Sequence, residues 1–208
     1  MQFDSKKDAI KFVGGLSEPS KMPCWGYSLP AYECNTGGKL RQVKGSVCSG
    51  CYALKGRYVF PSVKTAMERR FETIFEPAWV DAMSMITKNM PFFRWHDSGD
   101  IQNVLHLDKI CQIAKNSPNC KFWLPTRENN ICRIYFAFNK CPKNLCVRIS
   151  GSMMDGKAPY KFAELLGLQV SEVRTSNYNC PASLQDNKCN DCRKCWDKSN
   201  FCVSYKRH

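Results

Sequence analysis

Phe92-Phe93-Arg94-Trp95, followed by His96-Asp97-Ser98-Gly99-Asp100, is the stretch on which the fold turns. Four large residues without helical spacing predict a short strand, and the polar run behind them contains a glycine that lets backbone come close to a ligand. The same pairing recurs twice. A strand expected over 121–124 runs into Pro125-Thr126-Arg127-Glu128, and one over 145–149 into Ser150-Gly151-Ser152. A fourth strand is expected over 170–173, with helices between the strands at 104–115, 130–138 and 160–166. Alternation at this interval predicts βαβ units. The expected fold is α/β: a parallel sheet curled into a partial (β/α) barrel, with a Cys-rich N-terminal loop and a small C-terminal Cys-rich metal module. Ligands of such sheets bind at the carboxyl ends of the strands, which gathers Asp97, Ser98, Gly99, Asp100, Arg127, Ser150 and Ser152 on one edge. Singly these residues are ordinary loop chemistry, with Ser98 or Asp100 capping the next helix. Three polar ends on one edge argue for a shared pocket.

Upstream, Ser5 is expected to cap a helix over 5–13 that Gly14-Gly15 stops. Residues 16–61 carry Gly, Pro and Cys without helical periodicity, as expected of a segment folded around a ligand. A long helix opens at Ser62, through Ala66, Met67, Arg70, Phe71 and Ile74, and Pro77 starts another through Trp79, Val80, Met83 and Ile86. The expected division is a core over 1–175 with a cluster-binding loop at 24–58, and a metal module over 176–208.

Fourteen cysteines stand in the 208 residues. Cys24, Cys34, Cys48 and Cys51 gather near the N-terminus; Cys180, Cys189, Cys192 and Cys195, with Cys202 beyond, gather at the other end. Cys111, Cys120, Cys132, Cys141 and Cys146 lie in apolar stretches and read as core. The Cys189-x-x-Cys192-x-x-Cys195 run is closer to the iron-sulfur spacing of bacterial ferredoxins than to paired zinc motifs, so a [4Fe-4S] cluster is expected there, with zinc as the alternative. Cys202 is a spare or an alternate ligand. At the N-terminal group, Cys34, Cys48 and Cys51 can leave one iron of a cubane open for a ligand, whereas Cys24 would complete a closed site. His96 and His106 compete in principle, although a lone histidine is more often an ordinary satisfied side chain.

A disulfide scaffold is disfavoured, because such chains are usually far shorter and the N-terminus has no apolar signal-peptide core. A reducing cytoplasm is expected instead. No run of eighteen apolar residues predicts a membrane span. The net charge of +13 implies attraction to polyanions, nucleic acid being the commonest. The basic residues are scattered apart from 39–44 and the terminal 205–208.

Cys48-Ser49-Gly50-Cys51-Tyr52-Ala53-Leu54-Lys55-Gly56-Arg57-Tyr58, Phe93 to Asp100, Phe122-Trp123-Leu124-Pro125-Thr126-Arg127, and Cys180-Pro181 with Cys189 to Trp196 together resemble the phage gene product 88 proteins, which in turn are similar to radical S-adenosylmethionine (SAM) enzymes. The resemblance runs from about residue 29 to the end of the chain. It implies that Cys34, Cys48 and Cys51 bind a catalytic [4Fe-4S] cluster whose open iron takes the amine and carboxylate of SAM. It implies that Asp97-Ser98-Gly99-Asp100 holds the SAM amine, Arg127 the carboxylate, and Ser150 or Ser152 the ribose. Cys180, Cys189, Cys192 and Cys195 would form an auxiliary site. The first spacing departs from the superfamily's Cys-x-x-x-Cys-x-x-Cys, being far longer here.

The expected function is therefore reductive cleavage of SAM for hydrogen abstraction. A flavodoxin or ferredoxin would be the reductant, a nucleotide or nucleic acid a possible substrate, and the host cytoplasm the location of a phage-encoded protein. The alternative is a non-catalytic zinc or iron-sulfur protein that binds nucleic acid through its charge and Trp25, Tyr27, Tyr52 and Tyr58. A two-cluster electron carrier would have no use for the polar strand ends.

Overall fold

The computed structural model describes residues 3–207; Met1 and Gln2 of the polar N-terminus and His208 of the basic tail lie outside it. Seven α-helices, α1 (Lys6–Phe12), α2 (Asn35–Leu40), α3 (Pro61–Thr73), α4 (Trp79–Thr87), α5 (Val104–Asn116), α6 (Asn129–Phe136) and α7 (Tyr160–Leu165), accompany six strands. These are β1 (Trp25–Tyr27), β2 (Phe92–Trp95), β3 (Lys121–Thr126), β4 (Leu145–Ser150), β5 (Gln169–Arg174) and β6 (Cys202–Lys206).

Every neighbouring pair is parallel, and the order across the sheet is β1-β2-β3-β4-β5-β6. Strict sequential order means that each crossover steps one place in the same direction. Right-handed crossovers then put the helices on one face, and sheet twist curls the other face inward. The result is an open partial barrel. Short contacts cover its edges: Ser17 bridges Gly26 on β1, and Cys180 N–H donates to Ser204 O at 2.9 Å on β6.

Alternate strand residues divide the two faces. Phe93, Trp95, Phe122, Leu124, Val147, Ile149 and Val170 form one core with Trp79, Met83 and Ile86 of α4 and Leu107 and Ile110 of α5. Each large side chain buried there contributes about 1.5–3 kcal/mol, so this face drives folding. Cys111, Cys120 and Cys132 are fully buried in it, as expected of core thiols, with Cys141 packed at its margin; Cys146 is also buried.

On the inner face Trp123 of β3 and Val203 of β6 meet Cys195 and Trp196 from a 3-10 turn at Lys194–Trp196. Arg148 of β4 is wholly buried beside them without a carboxylate. Its guanidinium donates to the carbonyls of Lys194, Cys195, Asp197, Asn200, Phe201 and Val170 at 2.7–3.4 Å. The C-terminal segment is thereby clamped under the sheet and ends as its sixth strand.

The structure departs from expectation in the segment 16–61, which holds β1 and α2, and at 202–206, where β6 forms. Three residues of β1 are too few to show a period, and the short α2 contains Gly37 and Gly38, poor helix formers. The helices expected to open at Ser62 and Pro77 begin at Pro61 and Trp79. Neither Ser98 nor Asp100 caps α5; Asn103 does, its side chain accepting from His106 N at 2.8 Å.

Candidate functional site

The carboxyl edge of the sheet collects the three predicted polar ends. Leu29, just past β1, is stitched to Ser98, just past β2: Leu29 N–H donates to Ser98 O, and Ser98 Oγ donates to Leu29 O, both at 2.9 Å. Gly99 is obligatory there. Its φ is +81°, and a Cβ would stand 2.5 Å from Leu29 Cβ. Asp100, behind it, accepts from Thr126 Oγ1 (2.6 Å), Ile101 N (2.8 Å) and Arg127 N (2.9 Å), tying the end of β2 to the end of β3. Burial pushes its carboxyl up to about 6, against the downward pull of those donors.

The thiols arrive on loops pinned to these ends. Cys34 occupies the cap position of α2, and the carboxylate of Glu128, after β3, accepts from Thr36 N at 2.8 Å and Thr36 Oγ1 at 2.9 Å. The loop to Cys48 is fastened to the end of β4, where Val47 N donates to Ser152 O (2.9 Å) and Met154 N to Gly45 O (3.0 Å). A turn closes from Cys51 N to Cys48 O at 3.2 Å. Beyond it Tyr52 donates to Asp97 O, while Asp97's carboxylate takes Ser28 and, at 2.8 Å, Tyr58. Arg127 Nε donates to Gly151 O at 3.2 Å, and Ser150 and Ser171 share a hydroxyl contact of 3.0 Å. Sequence reasoning did not single out Glu128 or Gly37 as site residues, and it named Tyr52 and Tyr58 only as aromatics for binding nucleic acid. Glu128 stands two residues past the end of β3, but its partner Thr36 is 92 residues away along the chain.

Cys34, Cys48 and Cys51 lie within one another's electrostatic reach. Burial foremost, then Asp100 and the neighbouring thiols, pushes Cys34 up; burial raises Cys48 too, against the opposing pull of Arg127. A Cβ on Gly37 would stand 3.0 Å from Cys34 Cβ, 3.6 Å from Cys34 Sγ and 3.7 Å from Cys48 Sγ, so a glycine lets the start of α2 lie this close to both thiols. Among the described residues no three His, Cys, Asp or Glu side chains converge on a point that would hold one ion. Thiolates around a single zinc stand about 3.8 Å apart, given Zn–S bonds of about 2.3 Å, whereas a cubane spreads them over different irons. Three cysteines are the protein donor set of a cubane with one open iron.

The C-terminal thiols lie elsewhere, beneath the inner face. Cys180 packs on the Trp123–Trp196 cluster, whose rings meet at 5.3 Å, and Trp196 Nε1 donates to Phe93 O at 2.9 Å. Cys192 N donates to Cys189 O at 2.8 Å across a turn whose Asn190 has φ +42°. Cys195 Sγ stands 3.3 Å from Tyr205 OH. Arg94 of β2 lies over Trp123 at 4.4 Å, and Arg193 over Phe92 at 5.2 Å. Cys202 is not with this group: it faces the outer core and receives Tyr160 OH at 3.3 Å.

His96 and His106 stand apart from both thiol groups, their rings 5.4 Å apart in the outer core. His106 Nδ1 accepts from Gln102 N at 3.3 Å, but its Nε2 and both nitrogens of His96 have no partner, so His106 is only half satisfied. Burial, and then Arg94, holds His96 down to about 3, which keeps it neutral. The surface grooves beside α1, lined by Lys11, Gly14 and Arg69 among others, contain no thiol.

These features define an open parallel α/β barrel with one thiol group at its carboxyl edge and another under its inner face. The sequence model of the family described as gene product 88 matches residues 3–198, and the chain belongs to that family. No curated protein and no solved structure matches it. No helix among the described residues is long and apolar enough to cross a membrane.

Proposed function

We propose that this protein is an iron-sulfur enzyme of the radical SAM type, acting in the host cytoplasm of a phage. Cys34, Cys48 and Cys51 hold a [4Fe-4S] cluster at the carboxyl edge, and Cys180, Cys189, Cys192 and Cys195 hold an auxiliary cluster or zinc. The observation that carries the reading is the placing of Cys34 and Cys48 on either side of Gly37, with Cys51 on the turn that follows, beside the polar ends of β2, β3 and β4. Held by Cys34, Cys48 and Cys51 and reduced by a flavodoxin or ferredoxin, such a cluster would supply the one electron needed for reductive cleavage of SAM to methionine and a 5′-deoxyadenosyl radical, the species that would abstract a substrate hydrogen atom.

The chain's own part is positioning. Asp97 and Asp100 spend their carboxylates on internal bonds, so they shape a rigid backbone turn at Gly99 for the SAM amine rather than offering a free charge. Arg127 is bonded through N and Nε, and its terminal nitrogens have no protein partner among the described residues, leaving a fork for the SAM carboxylate. Ser150 and Ser152 flank the place for the ribose. The test is anaerobic incubation of the reduced protein with SAM. The wild type is expected to release 5′-deoxyadenosine and Cys48→Ala none; cleavage retained in that variant sinks the mechanism.

One observation favours a second reading. Against the net charge of +13, Arg174–Glu172 at 2.5 Å is the sole ion pair among the described residues, so most basic side chains are free to meet a polyanion. As a substrate, nucleic acid is compatible with the first reading. A colourless, iron-free protein whose oligonucleotide affinity falls steeply with salt would put a zinc nucleic-acid-binding protein in its place.

A further inference from the structure

Between Glu33 and Glu68 the chain carries no acidic residue and six basic ones, Lys39, Arg41, Lys44, Lys55, Arg57 and Lys64. This is the stretch that brings the three thiols to the carboxyl edge, so the charge collects around that edge. All six are without an ion-pair partner among the described residues, and all but the half-buried Arg41 are exposed. The carboxylates of the edge are turned to other work, since Asp97, Asp100 and Glu128 accept bonds within the protein. Apolar surface is exposed on the same stretch at Val43, Tyr52, Val59 and Phe60. The Tyr52 ring is 50% exposed yet fixed, because its hydroxyl donates to Asp97 O and the ring meets Tyr58 at 5.7 Å. Phe60, 54% exposed, stands at the cap of α3. Exposed rings set among cations are the chemistry of single-strand binding: bases stack on the rings while the cations take the phosphates. A duplex keeps its base faces covered and has no use for the rings.

We propose that this rim binds single-stranded nucleic acid, with phosphates on Lys39, Lys44, Lys55 and Arg57 and bases on Tyr52 and Phe60, and so presents a nucleotide to the thiol edge. The inference deepens the reading above, from which it takes the carboxyl edge as the place of reaction; the binding itself needs neither metal nor SAM.

The test is fluorescence anisotropy of labelled oligothymidylate, oligouridylate and a DNA duplex with the anaerobically purified full chain, across a salt series. Two charge-reversed proteins are compared. Lys55→Glu with Arg57→Glu alters the rim. Lys121→Glu with Lys143→Glu removes the same charge from the amino ends of β3 and β4, a strand's length away and beyond a screening length of about 8 Å. The rim pair is expected to weaken single-strand binding at least about tenfold and to reduce the slope of log affinity against log salt by about 1.4, two phosphate contacts. The amino-edge pair is expected to change affinity less than about twofold. Phe60→Ala should weaken binding at least about fivefold with the salt slope kept. The two single strands tell DNA from RNA as the ligand. Equal losses in the two reversed pairs overturn the proposal, as do tighter binding of duplex and no binding by the wild type. Should the rim pair fail to fold, Lys39→Glu with Lys44→Glu takes its place with the same expectation. Release of 5′-deoxyadenosine, measured on the same wild-type sample, separates the two readings. SAM cleavage without oligonucleotide binding overturns this proposal alone, whereas rim binding without SAM cleavage supports it and sinks the radical reading.

Discussion

At the carboxyl edge Cys34, Cys48 and Cys51 are held by turns, a close-packed glycine and the carboxylate of Glu128, whereas beneath the inner face Cys180, Cys189, Cys192 and Cys195 lie against or beside packed tryptophans and a buried arginine. The first arrangement is carried by loops fastened to strand ends. The second resembles a core, and a metal there would act mainly as a cross-link between segments. The difference teaches that cysteine spacing alone does not separate a reactive centre from a structural one. What surrounds the sulfurs does.

The contrast breaks most visibly at Arg148. Arg148→Ala leaves six carbonyls short of a donor and is expected to cost about 4 kcal/mol in urea unfolding, with loss of the C-terminal metal first. If the carboxyl-edge cluster were lost first, the two centres would not be independent. Next comes Gly99→Ala, where a left-handed φ and the 2.5 Å approach to Leu29 predict about 3 kcal/mol of destabilisation and reduced SAM cleavage, with the C-terminal metal retained.

Asp100 gives a pH signature confined to the upper edge. Its carboxyl, 3.8 in the unfolded chain, stands at about 6 in the fold, so the folded state binds the proton more tightly. Its contribution is fully present below pH 4 and is lost as the pH rises through 6, a change on the order of 3 kcal/mol. Asp100→Asn should flatten the stability profile across that window; an unaltered slope would assign it to another group. The smallest effect on stability is expected at Gly37. Alanine there favours the helix but crowds Cys34 Cβ at 3.0 Å, so Gly37→Ala should change unfolding by less than about 1 kcal/mol while iron at the carboxyl-edge centre falls as Cys34 is displaced. Full iron in that variant would remove the argument that Gly37 sets the position of Cys34.

Much of this was legible in the sequence. The strands that became β2, β3 and β4 are long enough, and end in polar residues distinct enough, to announce both the parallel sheet and the edge where their ends meet. β1 has three residues, and the alternation in β6 is hidden beneath its cysteine-rich surroundings. The side of the sheet on which Cys24 falls was illegible for a different reason: nearness along the chain groups it with Cys34, and only β1 passing between them sends the two apart. Arg148 reads as one basic residue in an apolar strand, and nothing local reveals the six carbonyls that surround it.

The measurement that tests the account most directly is the content of iron, sulfide and zinc per chain in protein purified without oxygen, read beside its visible spectrum. Two thiolate centres predict a brown protein with about eight irons and eight sulfides, or about four of each with one zinc. A colourless protein without iron would contradict it.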